Sequence, residues 1–212
     1  HLDNIQFLPE LLGVIWIVWV MNMINWSKGV DGQMPGIVTV SAIILGLLSL
    51  KLNINLVAKL SFITAGSSAA LLIFNWYPAK IFPGFSGSTI LGFMLAVLAI
   101  LSGAKLATAI LVLLIPATDF AYTFFRRILQ GKSPVWGDRG HLHHKLLEQG
   151  FTHEQISLFY IFGSVILGAA ALNLSSQGKL FAASLVALVI LGGILWLNFF
   201  GDLSKQPDPD NG

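Results

Sequence analysis

The chain has 212 residues, of which 55% are hydrophobic and only 10% charged, with a mean hydropathy of +0.78. Soluble domains carry about 25% charged residues, so this composition excludes an ordinary soluble domain, and with it disorder, collagen and coiled coil. Twelve Lys plus Arg against ten Asp plus Glu leave +2, which gives no global basic field for nucleic acid, and the lack of Cys removes disulfides and thiolate chemistry.

A hydrocarbon core of about 30 Å takes roughly 20 helical residues, and apolar runs of that order recur along the chain. Seven spans are expected, over 8–24, 35–50, 56–76, 88–102, 106–125, 156–172 and 180–200. The fold class is therefore all-α, a polytopic transmembrane helical bundle. The runs lack the alternation of barrel strands and are rich in Leu, Ala and Gly. The runs at 35 and 88 are short for a bilayer, so they must tilt little, thin the membrane locally or extend into their flanks. The first run follows His1 almost at once, with no basic segment or cleavage site before it, and reads as an internal span with further spans expected upstream. Residues 1–203 are expected to form one transmembrane domain, and 204–212, which end in Pro-Asp-Pro-Asp-Asn-Gly, a disordered tail.

Each crossing carries the backbone to the other side, so the connections fall into two sets. One set holds 25–34, 77–87, 126–155 and the tail, with Lys28, Lys80, Arg126, Arg127, Lys132, Arg139, Lys145 and Lys205; the other holds Lys51, Lys105 and Lys179. Eight basic residues against three place the first set in the cytoplasm by the positive-inside rule, and hence the protein in a plasma (cell inner) membrane as a multi-pass species.

Nearly all the chemistry lies in that first set. Three of the five histidines fall within Asp138-Arg139-Gly140-His141-Leu142-His143-His144-Lys145. Zinc usually needs four ligands, and no Cys or second His cluster completes a set, so His141, His143 and His144 among basic neighbours fit phosphate contact better. The plainer alternative is a solvated positive-inside loop. Asn22 and Asn25 lie three apart on one helical face, followed by Ser27-Lys28-Gly29-Val30-Asp31-Gly32, a loop whose backbone can closely approach a nucleotide or phosphate. For Asn22 alone, an interhelical hydrogen bond serves equally well. The turn Phe82-Pro83-Gly84-Phe85-Ser86-Gly87-Ser88 opens the fourth span, where N–H groups attract anions or Ser86 or Ser88 acts as a simple N-cap. Asp119, in Pro116-Ala117-Thr118-Asp119, is a carboxylate within a span, either functional or paired with a basic residue such as Arg126.

These segments, in this order, resemble the motifs of the polyprenyl-phosphate N-acetylhexosamine-1-phosphate transferases, the family that includes the phospho-N-acetylmuramoyl-pentapeptide transferases. Residues 22–32 look like its Asn-x-x-Asn-x-x-Asp-Gly-x-Asp-Gly motif, and 82–88 like Phe-x-Gly-Asp-x-Gly-Ser. Pro116 to Asp119 match Pro-x-x-Asp, and Asp138 to His144 match Asp-Arg-Gly-His-x-His-His. The resemblance covers nearly the whole chain. It implies transfer of a sugar 1-phosphate from a UDP-sugar to a polyprenyl phosphate such as undecaprenyl phosphate, with release of UMP and help from Mg²⁺, in a membrane-lipid setting where a homodimer is also compatible.

Carried over by position, the resemblance puts Asn22, Asn25, Lys28, Gly84 and Ser86 in the substrate-binding region, with Arg139 reinforcing phosphate contact as a cation. Asp31 becomes both catalytic and the Mg²⁺ ligand, and His141, His143 and His144 contact phosphate or sugar. Two positions depart from the pattern. Lys28 stands where the first motif has its first Asp, and Phe85 where the second motif has its Asp, so either Asp31 with an upstream acid suffices for Mg²⁺ or Lys28 supplies part of the positive charge that a metal otherwise contributes. An acidic pair upstream in the family has no counterpart here, and no turnover is expected of the isolated 212-residue chain. The alternative function is a catalytically silent relative that binds nucleotide-sugar or lipid phosphate. A transporter fits less well, because the polar groups crowd one surface rather than the midplane.

Overall fold

The computed structural model describes residues 3–102, 106–133 and 140–200. Among these residues there are nine helices and no strand: α1 (Asp3–Trp26), α2 (Gln33–Lys51), α3 (Asn55–Asn75), α4 (Gly84–Leu101), α5 (Leu106–Val112), α6 (Leu114–Leu129), α7 (Leu142–Glu148), α8 (His153–Asn173) and α9 (Ser176–Phe200). Helices suit long apolar runs in lipid, because each backbone N–H and C=O is then satisfied within its own segment. Six of them are long and apolar enough to cross a membrane, and α5 with α6 makes up to seven spans, so this is a multi-pass membrane protein.

The two short runs extend into their flanks. α2 takes in Gln33 and Met34 and reaches 19 residues, and α4 starts at Gly84 and reaches 18. Gly32 makes the first extension possible, since it caps α2 with φ of +80°, a left-handed conformation that L side chains rarely adopt.

The fifth run is corrected. It is not one straight crossing: α5 has seven residues, and α6 leaves it at 84° through Leu113. Pro116 is the cause within the chain, because it has no N–H to donate to the carbonyl of Val112 and its ring crowds that carbonyl. As the third residue of α6 it is tolerated, since first-turn N–H groups have no intrahelical partner in any case.

α2 is the most enclosed span and packs against α3 and α8; α1 pairs with α4, and α9 lies outside, against α5 and α6. Lipid tails are as apolar as Leu, so close backbone approach and polar contacts hold such a bundle rather than hydrophobic burial. The α1–α4 crossing shows this: a Cβ on Gly92 would stand 2.8 Å from the Cα of Met21. Trp16 adds a hydrogen bond from Nε1 to the Ala96 carbonyl at 3.2 Å.

One end of the bundle is closed by lysines. Lys51 Nζ donates to the Leu172 carbonyl at 3.2 Å, and Lys179 Nζ to Thr108 Oγ1 at 2.7 Å. The other end gathers the ends of α1 and α3 and Asp119 of α6 with the starts of α2, α4, α7 and α8. The expected tail at 204–212, together with Lys105, Asp138, Arg139 and Lys205, lies outside the described residues.

Candidate functional site

At that second end the Asn/Gly/Asp loop, the Gly/Ser turn and the histidine segment meet, as alternation of the connections predicts. Asn25 is the first junction. Its Oδ1 accepts from Lys28 Nζ at 2.8 Å and from Ser88 Oγ at 2.7 Å, which ties the end of α1 to the first turn of α4. Lys28 Nζ also donates to the Gly84 carbonyl at 3.3 Å and stands 5.7 Å from the centre of the Phe85 ring. The two departures from the motif pattern are therefore neighbours in space. Partial burial lowers the Lys28 ammonium from its ordinary pKa of 10.5.

Ser86 and Ser88 are not N-caps: α4 begins before them, Pro83 holds the cap position, and no side chain caps the helix. Ser88 turns its hydroxyl to Asn25 and to its own helix's carbonyls instead. Asn22 does not join these contacts. Its Nδ2 donates to the Val18 carbonyl of α1 at 2.8 Å, and its side chain lines a cleft with Trp19, Trp26 and Phe120.

Asp31 is held by a second junction. Its Oδ2 accepts from the Ala79 N–H at 3.0 Å, its carbonyl accepts from Ser157 Oγ at 2.5 Å, and His153 Nδ1 lies 3.4 Å from its N–H. His153 stacks on Tyr77, and Asn75 bridges the Gly32 N–H (3.0 Å) and the Ile81 carbonyl (2.8 Å). A capping box of Thr152 and Gln155 starts α8 and so presents His153 and Ser157 to this loop. Asn75, His153, Ser157 and the Ala79 N–H are absent from the motif reading. A polar residue ending one apolar run and a histidine opening another are the signals that could have found two of them.

The third junction is Asp119. It pairs with the histidine segment rather than with Arg126: Oδ1 accepts from the Leu142 N–H at 2.8 Å, and Oδ2 lies 3.2 Å from His141 Nδ1. A carboxylate can only accept, so this contact places the His141 proton on Nδ1 and leaves the lone pair on Nε2. Trp26 packs edge-on against the His141 ring at 5.3 Å. The Arg126 guanidinium lies against Gly140, where a Cβ would stand 1.8 Å from Nη2.

His143 is buried at 1% exposure, with its ring parallel to that of His141 and Nδ1 4.0 Å from Asp119 Oδ2. A Cβ on Gly29 would lie 2.2 Å from His143 Nε2, so the first loop and the histidine segment touch through a glycine. Burial, then the neighbouring His144 and His141, hold the His143 imidazole well below its ordinary 6.5. His144 is half-buried beside it.

The sign of the resulting pH effect follows from linkage. The unfolded chain binds a proton at His143 below about pH 6.5 while the folded chain does not, so this stabilisation is complete above 6.5 and is lost as pH falls towards the depressed folded value. The melting temperature in detergent should therefore drop on acidification below 6.5, with a limiting slope of about 1.4 kcal/mol per pH unit. His143→Gln should flatten that part of the profile, and an unchanged profile would assign the loss to other groups.

Among the described residues no three His, Cys, Asp or Glu side chains converge as a metal cage. Mg²⁺ is usually held by one or two carboxylates plus substrate phosphates. Asp31 offers one, half committed to Ala79, and the nearest cation at the Asn25 junction is an ammonium. These residues do not by themselves make up a Mg²⁺ site.

Two apolar clefts lie along α1. One, of about 420 Å³, is lined by Trp16, Trp19, Met23 and Leu113, and the next, of about 390 Å³, by Trp19, Asn22, Trp26, Phe120 and Phe124. Both lie between α1 and the bent α5–α6 pair.

The model of glycosyl transferase family 4 matches residues 1–103. The chain is 30% identical to the "Probable undecaprenyl-phosphate N-acetylglucosaminyl 1-phosphate transferase" of Bacillus subtilis, over 89% of this chain and 50% of the relative. It is 32% identical to the decaprenyl-phosphate N-acetylglucosaminephosphotransferase of Mycobacterium leprae (86% and 52%). It is 29% identical to the phospho-N-acetylmuramoyl-pentapeptide-transferase of Moorella thermoacetica (82% and 54%). The chain thus spans about half the length of the curated relatives it matches. Metal dependence is general in the family.

Proposed function

We propose that this segment forms the reaction face of a membrane phosphotransferase that moves N-acetylhexosamine 1-phosphate from a UDP-sugar to a polyprenyl phosphate, in lipid-linked envelope glycan synthesis. The observation that carries it is the interlock of the three polar segments at the mouth of the α1–α6 cleft. An oxygen of the lipid phosphate forms a bond to the sugar-bearing phosphorus, the bond from that phosphorus to the bridging oxygen breaks, and UMP leaves. Two anions must approach, so cationic and N–H donors have to offset their repulsion.

In this reading Lys28 and the first turn of α4, with Gly84 and Ser86, face the pyrophosphate. Asn25 holds Lys28 in place, and Asp31 faces the sugar or a metal. His141 Nε2 takes the last proton from the lipid phosphate and so sharpens the nucleophile, while His144 and Arg139 contact phosphate. His143 stays neutral and sets the loop against the histidine segment. The prenyl chain lies in the cleft past Asn22, Trp19 and Trp16. Asp31 alone supplies too few ligands for Mg²⁺, so a metal would need ligands beyond these residues. The basic excess supports a cytoplasmic position for this end.

Membranes holding the full-length protein, supplied with radiolabelled UDP-N-acetylhexosamine, polyprenyl phosphate and Mg²⁺, should move label into extractable lipid and release UMP. No label and no UMP across the candidate sugars would remove the reading. The contact between Lys28 and Phe85, at two positions where the family pattern has acids, favours a second reading as a binding relative without turnover. UDP binding retained in membranes that show no transfer would select it.

A further inference from the structure

Lys28 is placed where a cation has no structural reason to be. Its ammonium donates to the carbonyl of Gly84, the first residue of the 18-residue helix α4. A helix N-terminus carries partial positive charge, so a cation beside it is unfavourable unless an anion joins the pair. The position is nevertheless built: Asn25 Oδ1 takes the ammonium at 2.8 Å, Ser88 Oγ fixes that same Oδ1 at 2.7 Å, and the Phe85 ring lies beside it at 5.7 Å. The side chain remains exposed, so neither acceptor shuts it off from a ligand. The ammonium thus lies beside the first turn of α4, which brings two sources of positive potential close together. Among the described residues no three His, Cys, Asp or Glu side chains converge to hold a divalent ion.

We infer that the Lys28 ammonium, held by Asn25 and Gly84 at the start of α4, is the cation that binds the pyrophosphate here, so that nucleotide diphosphate binding does not require a divalent metal. This rests on the reading of the site as a UDP-sugar site and deepens it. An ammonium supplies three N–H donors and two are used, which leaves one for a phosphate oxygen. The Phe85 ring beside it adds cation–π attraction.

The test is UDP binding by the purified full-length protein in lipid nanodiscs, measured calorimetrically in Mg²⁺ and in EDTA. The affinity should agree between the buffers within about threefold, Lys28→Met should weaken it about tenfold in both, and Lys28→Arg should restore it to within a few-fold. The melting temperature of each variant checks folding, and the arginine variant keeps the comparison decisive if the methionine variant does not fold. Binding that collapses in EDTA overturns the inference and leaves the proposed function standing. Binding that ignores Lys28→Met overturns it too, since other donors then hold the phosphates. Absence of UDP binding in either buffer removes the proposed function itself and the inference with it.

Discussion

Asp119→Asn should lower sugar-phosphate transfer by about a hundredfold while leaving UDP affinity within about threefold, because a residue that orients a histidine acts on the reacting proton and not on the donor's contacts. The amide oxygen can still accept from the Leu142 N–H, which Asp119 Oδ1 now takes at 2.8 Å, so α7 keeps its anchor. The amide nitrogen then faces His141 Nδ1, where Oδ2 stands at 3.2 Å. A donor at that point forces Nδ1 to accept, which moves the imidazole proton to Nε2 and removes the lone pair that the proposed mechanism uses. Asp119→Ala should do more, because it strands the buried Leu142 N–H and costs about 1–3 kcal/mol of stability besides. Initial rates in membranes at matched expression, paired with UDP titration, separate the two effects. A transfer rate for Asp119→Asn within about fivefold of the parent would mean that His141 moves no proton and only shapes the loop.

The crossings were legible because their cause is local: a run of apolar residues in hydrocarbon has no stable alternative to a helix. Short runs were less so. Gln33 and the Gly84–Gly87 stretch look polar or turn-like in isolation, and they become helical because the loop at Gly32 and the cap at Pro83 place them in line with α2 and α4. The bend in the fifth run was visible as Pro116, whose missing N–H breaks the ladder, but hydropathy averages over a proline and reports one continuous span.

In the site, motif residues could be read individually and their partners could not. Nothing in the order of residues says that Asp119 takes His141 rather than Arg126, which lies closer in the chain. That choice is made where α6, turned by 84°, delivers the carboxylate to the start of α7. The same holds for Asp31, whose carboxylate is fixed by the Ala79 N–H and whose backbone is fixed by Ser157, a residue 126 positions away.

The contact between the first loop and the histidine segment makes Gly29→Ala the second large effect. One added methyl group would place Cβ 2.2 Å from Nε2 and 2.7 Å from Cδ2 of His143, both far inside van der Waals contact. The ring cannot give way cheaply, because it is buried and lies between the rings of His141 and His144 at 5.4 and 4.4 Å. The loop must move instead, and it carries Lys28 and Asp31 on either side of Gly29. Overpacking of this kind costs about 1–3 kcal/mol, so the melting temperature should fall, and UDP binding and transfer should fall together as both loop side chains are displaced. Removing the obstacle is the control. In the Gly29→Ala, His143→Ala double variant the clash no longer exists, and the stability lost by Gly29→Ala should be smaller in the His143→Ala background than in the parent, with a coupling of at least about 1 kcal/mol. Strictly additive losses in that cycle would separate the two segments, and with them the shared site at one end of the bundle.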